Sequence, residues 1–183
     1  MPALKAKFIL VVLLFLAGIS LQAAVADKPE KAAAQQHISV YIFLAETCPI
    51  SQFYTLTLKE LHQEFASENI KFEGIFPNSE STAETVAAFK QKYKLPFPLK
   101  TDLAQQLTKQ LNATITPEAI IKNEATGEIL YQGRIDDSYF RVGKRRPKAR
   151  EHDLRNALTQ LKNNQPVSTT KTDAVGCYIT FLP

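Results

Sequence analysis

The chain has 183 residues, 45% hydrophobic and 22% charged, with a formal net charge of +4. That composition is ordinary for a globular protein and suffices for one domain with a real core. Its two cysteines are too few for a small fold held together by disulfides.

Lys5 and Lys7 precede an apolar run of 14 residues, Phe8 to Leu21, and Ala24-Val25-Ala26 then offers small residues where a signal peptidase reads. This is the three-part layout of a secretory signal, and the run is short for a membrane span. Residues 1–26 are therefore expected to be cleaved after Ala26, leaving a secreted or periplasmic protein; uncleaved, the same segment is a membrane anchor. The remaining chain carries 20 basic and 18 acidic residues, a net of +2 that demands no acidic partner. Nucleic acid is not an expected partner of an exported protein.

Residues 27–37 read as a polar, Ala-rich linker, 38–163 as the folded domain and 164–183 as a tail of turn and strand-like character. Ile38 to Leu44 is dense in β-branched and aromatic residues, a buried central strand. After Thr47-Cys48-Pro49 the period changes. Phe53, Leu56, Leu61 and Phe65 mark one face of a helix, with Pro49 suited to its first turn.

Ile70 to Phe76 is a second strand, broken by Pro77-Asn78-Ser79. Ser81 and Glu84 form a capping-box pattern ahead of Val86, Phe89 and Tyr93. Leu95 to Leu99 is extended, and Asp102 caps a helix carrying Leu103, Leu107 and Leu111. Thr114 to Pro117 leads into a strand with Ala119, Ile120 and Ile121. Thr126-Gly127-Glu128 turns the chain into a return strand from Ile129. Leu154, Ala157, Leu158 and Leu161 mark a last amphipathic helix. The order β-α-β-α-(α)-β-β-α predicts an α/β fold, a mixed sheet with helices on both faces.

Cys48 and Cys177 both survive processing, and in an oxidising compartment an even pair can close a disulfide. The pair reads as a redox element or as one staple on a domain that folds without it. At a helix start, Cys48 would lie near the positive end of the dipole and unsatisfied N–H groups, which favour the nucleophilic thiolate. The bland alternative is an inert buried cysteine.

The strand leading into Thr47-Cys48-Pro49-Ile50-Ser51 and the helix start resembles the thioredoxin-like superfamily, and Thr116-Pro117 before a strand resembles its second landmark. Tyr131-Gln132-Gly133-Arg134-Ile135-Asp136-Asp137, Gly143 to Pro147, His152 to Arg155 and Val175-Gly176-Cys177 are similar to segments of the redoxin branch, the AhpC/TSA-like domains of exported bacterial proteins. The likeness spans roughly residues 38–183. It implies a thioredoxin-like fold, a cis proline at Pro117 facing Cys48 across a substrate groove, and thiol–disulfide exchange. Cys48 and Cys177 would be catalytic, with Thr47, Pro49, Ser51, Thr116 and Pro117 lining the substrate site. Protein thiols or disulfides, or peroxide, would be the partners, with no cofactor and no metal. A Cys48–Cys177 bond would close a loop of about 130 residues, worth roughly 5 kcal/mol at most; two free thiols or intermolecular pairing are the alternatives.

Two departures qualify the likeness. The second cysteine of a Cys-x-x-Cys motif is replaced by Ser51, which cannot resolve a mixed disulfide but can hydrogen-bond the Cys48 thiolate. Ala45 and Tyr41 stand where a peroxiredoxin has Thr and Pro, so no standard peroxide pocket is expected and thiol peroxidase is the second reading. The third is a thioredoxin-fold interaction module with a static disulfide.

Copper, as in Sco-like relatives, would need a second cysteine four residues from Cys48. His62 is expected on a solvated helix face, His152 near a helix start, and Asp136 and Asp137 in a turn as capping carboxylates. The basic run Lys144 to Arg150 reads as a solvated loop or, more sharply, a docking surface for an acidic partner. Asn112-Ala113-Thr114 matches a glycosylation sequon.

Overall fold

The computed structural model describes residues 37–182. The expected signal segment 1–26 and the linker up to residue 36 lie outside the described residues.

Strands β1 (Ile38–Phe43), β2 (Ile70–Phe76), β3 (Leu99–Thr101), β5 (Glu118–Asn123) and β6 (Ile129–Gly133) form one sheet in the order β3-β2-β1-β5-β6. β1 and β2 run parallel, as do β2 and β3, whereas β5 is antiparallel to both β1 and β6. Parallel neighbours require crossover connections. Helices α1 (Pro49–Phe65) and α2 (Ala83–Tyr93) supply them, and α3 (Gln106–Gln110) and α4 (Asp153–Lys162) complete the set.

The period-2 alternation of β1 distributes its side chains between two cores. Val40 and Ile42 join Leu58 of α1, Phe89 of α2 and Leu158 of α4 in the larger one. Tyr41 and Phe43 join Ile75, Leu107, Leu111, Ile120 and Ile179 in the smaller. Helices thus cover both faces of a mixed sheet, unequally: the second face is closed by short α3 and the tail.

Three local expectations are corrected. Leu56 is 60% exposed. Tyr54, Leu58, Leu61 and Phe65 form the inward row, and Leu56, two positions from Leu58, points the other way. The capping box lies one residue later than Ser81 and Glu84: Thr85 N donates to Thr82 Oγ1 at 3.2 Å and Thr82 N to Thr85 Oγ1 at 3.0 Å. Leu103 precedes α3 and is 47% exposed. The N-cap position is Gln105, not Asp102, but the Asp102 carboxylate still accepts from the helix start, from Gln106 N at 3.1 Å and Thr108 N at 2.8 Å.

The tail is fastened along its length. Gln132 N donates to Thr170 O at 2.9 Å and Thr172 N donates to Gln132 O at 3.0 Å, so residues 170–172 run beside β6. Further on, β9 (Cys177–Tyr178) pairs antiparallel with β4 (Ile115–Thr116), Cys177 opposite Thr116. A hairpin of β7 (Tyr139–Arg141) and β8 (Lys144–Arg145) completes the fold. No described helix is long and apolar enough to cross a membrane.

Candidate active site

The site forms where β1 ends. Leu44 N still bonds Ile75 O at 2.8 Å, the chain turns through Ala45 to Thr47, and Cys48 becomes the N-cap of α1 with extended backbone. Pro49 occupies the first helical position, where a missing N–H costs nothing. Cys48 is 1% exposed, whereas Thr47 and Pro49 on either side are exposed. The turn is strapped to α2 by Glu46, whose carboxylate accepts from Ser81 Oγ and Thr85 Oγ1, each at 2.7 Å. Sequence reasoning missed Glu46, because its partners lie 35 or more residues away.

Two segments distant in sequence meet Cys48. The Thr116–Pro117 peptide bond is cis, and the Cys48 thiol donates to Thr116 O at 3.2 Å. Cys177, free like Cys48, donates through its thiol to Cys48 Sγ at 3.0 Å. It is set there by the β4–β9 pairing and by a bond from Thr116 Oγ1 to Cys177 O at 3.3 Å. Gly176 permits the approach: a Cβ there would fall on the Thr116 carbonyl oxygen and lie 2.9 Å from Ile115 Cγ2.

The two thiols differ electrostatically. Burial alone pushes the Cys48 thiol up. Bonds to its sulfur from the Cys177 thiol, the Ser51 N–H and hydroxyl, and the Ile50 N–H outweigh it, holding Cys48 below its ordinary value. Those N–H groups are the unsatisfied donors of a helix start. Cys177 is pushed up to about 11 by burial, then by its bond to Cys48 and the charge on Cys48. Ser51 is fully buried, and its oxygen also accepts from Ala45 N at 3.3 Å.

Beside Pro117, a narrow crevice is lined by Tyr54, Ile135, Asp136, Tyr139 and Val175. Tyr54 Oη donates to Asp136 Oδ1 at 2.6 Å, and Ser138 N donates to the same oxygen at 2.8 Å. Asp137 accepts from Arg150 N at 2.7 Å and Glu151 N at 3.0 Å. The two carboxylates therefore brace turns. Glu118, next to Pro117, is buried and accepts from Thr114 N at 3.0 Å and Gln132 Nε2 at 3.1 Å; burial raises its pKa.

The basic run is mostly exposed, as expected, but Lys144–Arg145 is the strand β8 and two of its arginines are engaged. Arg145 lies 4.9 Å over the Phe53 ring and Arg146 5.0 Å over Phe140, with Arg146 Nη1 donating to Asp137 O at 2.8 Å. His62 is half-buried against the Phe72 and Phe97 rings rather than solvated, and burial lowers its pKa. His152 is the N-cap of α4. Among the described residues, no group of three His, Cys, Asp or Glu is placed to hold a metal ion.

No curated protein matches the sequence. An uncharacterised conserved protein from Geobacillus kaustophilus is similar in structure, with 24% identity, a TM-score of 0.71, and coverage of 81% of this chain and 79% of its own. A hypothetical protein from Sinorhizobium meliloti has 24% identity, a TM-score of 0.69 and 81% coverage of both chains. A secreted Mycobacterium tuberculosis disulfide oxidoreductase is a more distant likeness, at 19% identity and a TM-score of 0.44, over 52% of this chain and 66% of its own. Residues 19–136 match the AhpC/TSA family, a span that includes Cys48 and Pro117 and stops before Cys177. With that match over most of its length and a thioredoxin-like fold, the chain belongs to the AhpC/TSA family.

Proposed function

We propose that this protein is an exported thiol–disulfide oxidoreductase of the redoxin type, acting through Cys48. The observation that carries the reading is the contact of the Cys48 and Cys177 sulfurs, 3.0 Å apart at a helix start beside cis Pro117. The signal layout of residues 1–26 supports export.

In the reaction, the Cys48 thiolate attacks one sulfur of a substrate disulfide. A Cys48–substrate disulfide forms and the other substrate sulfur leaves as a thiolate. Cys177 then loses its proton and attacks Cys48 Sγ, closing Cys48–Cys177 and releasing the second substrate thiolate. Two electrons pass from the protein dithiol to the substrate. The electrostatics favour this order. Part of what holds Cys177 up at about 11 is its bond to Cys48 and the Cys48 charge. Both disappear once Cys48 is in a mixed disulfide, so Cys177 becomes easier to ionise at the step that needs its thiolate. Ser51 stabilises the attacking form of Cys48, and Thr47, Pro49, Thr116 and Pro117 border the approach to it.

The test uses insulin as the disulfide substrate. The reduced wild type is expected to cleave it, Cys48→Ser to be inactive, and Cys177→Ser to retain insulin chains as a reducible covalent adduct. Fast consumption of hydrogen peroxide with insulin untouched would replace this reading by thiol peroxidase. No reaction, no adduct and only lost stability in Cys177→Ser would leave an interaction module with a static disulfide.

A further inference from the structure

Gln105 has no place in the chemistry above, yet it is fully buried and its backbone is left-handed, with φ of 53°. Non-glycine residues adopt that conformation uncommonly. Its amide group makes three hydrogen bonds: Nε2 donates to Pro77 O at 3.0 Å and to Thr180 O at 2.8 Å, and Oε1 accepts from Leu182 N at 2.9 Å. Both N–H donors and one of the two lone pairs of the oxygen are thus spent on backbone. One partner follows β2; the other two belong to the last residues of the tail, and Thr180 is only three residues beyond Cys177.

The rest of the seat after Cys177 is slight. Ile179 N bonds Thr114 O at 2.9 Å and the Ile179 side chain is buried, while Tyr178, Phe181 and Leu182 are exposed. Residues 178–182 are therefore held largely by hydrogen bonds to their backbone, and the Gln105 side chain makes two of them, donating to Thr180 O and accepting from Leu182 N. Cys177 and Tyr178 pair with β4, and this pairing sets the Cys177 sulfur against Cys48, itself 1% exposed.

We propose that Gln105 is a positioning residue for the thiol pair, a clamp that keeps the chain end on β4 and so sets how much of the time Cys177 lies against Cys48. The proposal rests on the thiol-exchange reading. The tendency of two thiols in one chain to join is their effective concentration, which falls as the segment carrying one of them is loosened. With the clamp closed, Cys177 wins the competition for Cys48. With it open, β4 loses its partner strand, Cys48 is uncovered, and an external thiol competes on better terms.

The experiment measures this competition in buffers of reduced and oxidised glutathione. The two protein thiols and one oxidised glutathione give the Cys48–Cys177 disulfide and two reduced glutathiones, and the oxidised fraction is read by alkylation and mass spectrometry. Gln105→Glu keeps size and acceptor but removes both N–H donors. Leu182→Pro removes the N–H that donates to Oε1 and leaves both Nε2 bonds available, and deletion of residues 180–183 removes the tail's whole share while leaving Gln105 intact.

The equilibrium constant for closing the bond is expected to fall about tenfold in Gln105→Glu and in the deletion, and less in Leu182→Pro. Combining Gln105→Glu with the deletion should fall no further than the worse single change, because the clamp is broken once. A purely structural Gln105 predicts a deletion at the wild-type value, or losses that add, and either result overturns the clamp. A wild type that forms no Cys48–Cys177 bond in any buffer overturns the thiol-exchange reading and the clamp with it. A wild type that forms the bond, with the deletion and Leu182→Pro both within twofold of it, overturns the clamp alone. If Gln105→Glu fails to fold, the two tail variants decide.

Discussion

Gly176→Ala tests whether the close approach of tail and β4 makes the thiol pair. The added Cβ would fall on the Thr116 carbonyl oxygen, 2.6 Å from the carbonyl carbon and 2.9 Å from Ile115 Cγ2. Comfortable carbon–carbon contact needs about 3.5–4.0 Å, and the obstacle is backbone beside Pro117, not the free end of a side chain. The chain has two ways out. Parting β9 from β4 costs about 1–3 kcal/mol, the usual range for overpacking. Releasing the segment forfeits the burial of Ile179, worth about 1.5–3 kcal/mol, together with the bond from Ile179 N to Thr114 O. Either way the loss is about 2 kcal/mol, equivalent to roughly a 30-fold fall in the constant for closing Cys48–Cys177. Denaturant unfolding of the reduced protein should show the same loss of about 2 kcal/mol, since the tail is seated before any bond forms. A constant within twofold of wild type, with stability unchanged to about 0.5 kcal/mol, would refute the claim that this contact positions Cys177.

The electrostatics and the crevice give three further outcomes. In the reduced protein, alkylation of Cys48 should rise with pH and level off below the ordinary thiol value, since its thiolate is the stabilised form, while Cys177 keeps gaining reactivity towards its value of about 11. Cys177→Ala removes a donor to the Cys48 sulfur, so the thiolate absorbance near 240 nm should titrate at higher pH; an unchanged midpoint would show that the Cys177 bond contributes nothing. Tyr54→Phe leaves Asp136 Oδ1 without the hydroxyl donor it has at 2.6 Å, and should cost about 1–3 kcal/mol by denaturant unfolding; a loss under about 0.5 kcal/mol would mean that solvent replaces the hydroxyl freely.

The junction around Cys48 was legible because local signals agree there. A strand of β-branched and aromatic residues, a change of period and a proline suited to the first helical turn all fall within about a dozen residues. The cis form of Pro117 entered through family likeness rather than through any property of Thr116-Pro117 itself. The capping box lies one residue later than its pattern because Ser81, by type the better cap, is drawn instead to Glu46 and leaves Thr82 to cap the helix. Leu56 misled because an apolar residue on an exposed helix face carries no mark of its orientation. β3 escaped because three residues are too few to show a period. Glu46, Gln105 and Glu118 are polar residues whose partners are backbone, hydroxyl or side-chain amide groups, most of them far along the chain, and sequence spacing encodes no such contact. The meeting of Cys177 with Cys48 belongs to the same class, as it depends on where β9 lands across 129 positions of chain.

Residues 170–172 have a consequence for the protein's behaviour in company. β6 is the outermost strand on its side of the sheet, and a bare outer strand is a template on which a neighbouring molecule can add its own. Here the bonds through Gln132 fill that role from within, and Thr172 presses so closely on Gly133, at φ of 152°, that a side chain at that position would collide with it. A molecule clipped by a protease ahead of Thr170 would therefore lose its second cysteine and, in the same cut, expose β4 and β6 to like molecules, so damage to the tail should register as self-association as well as lost reactivity.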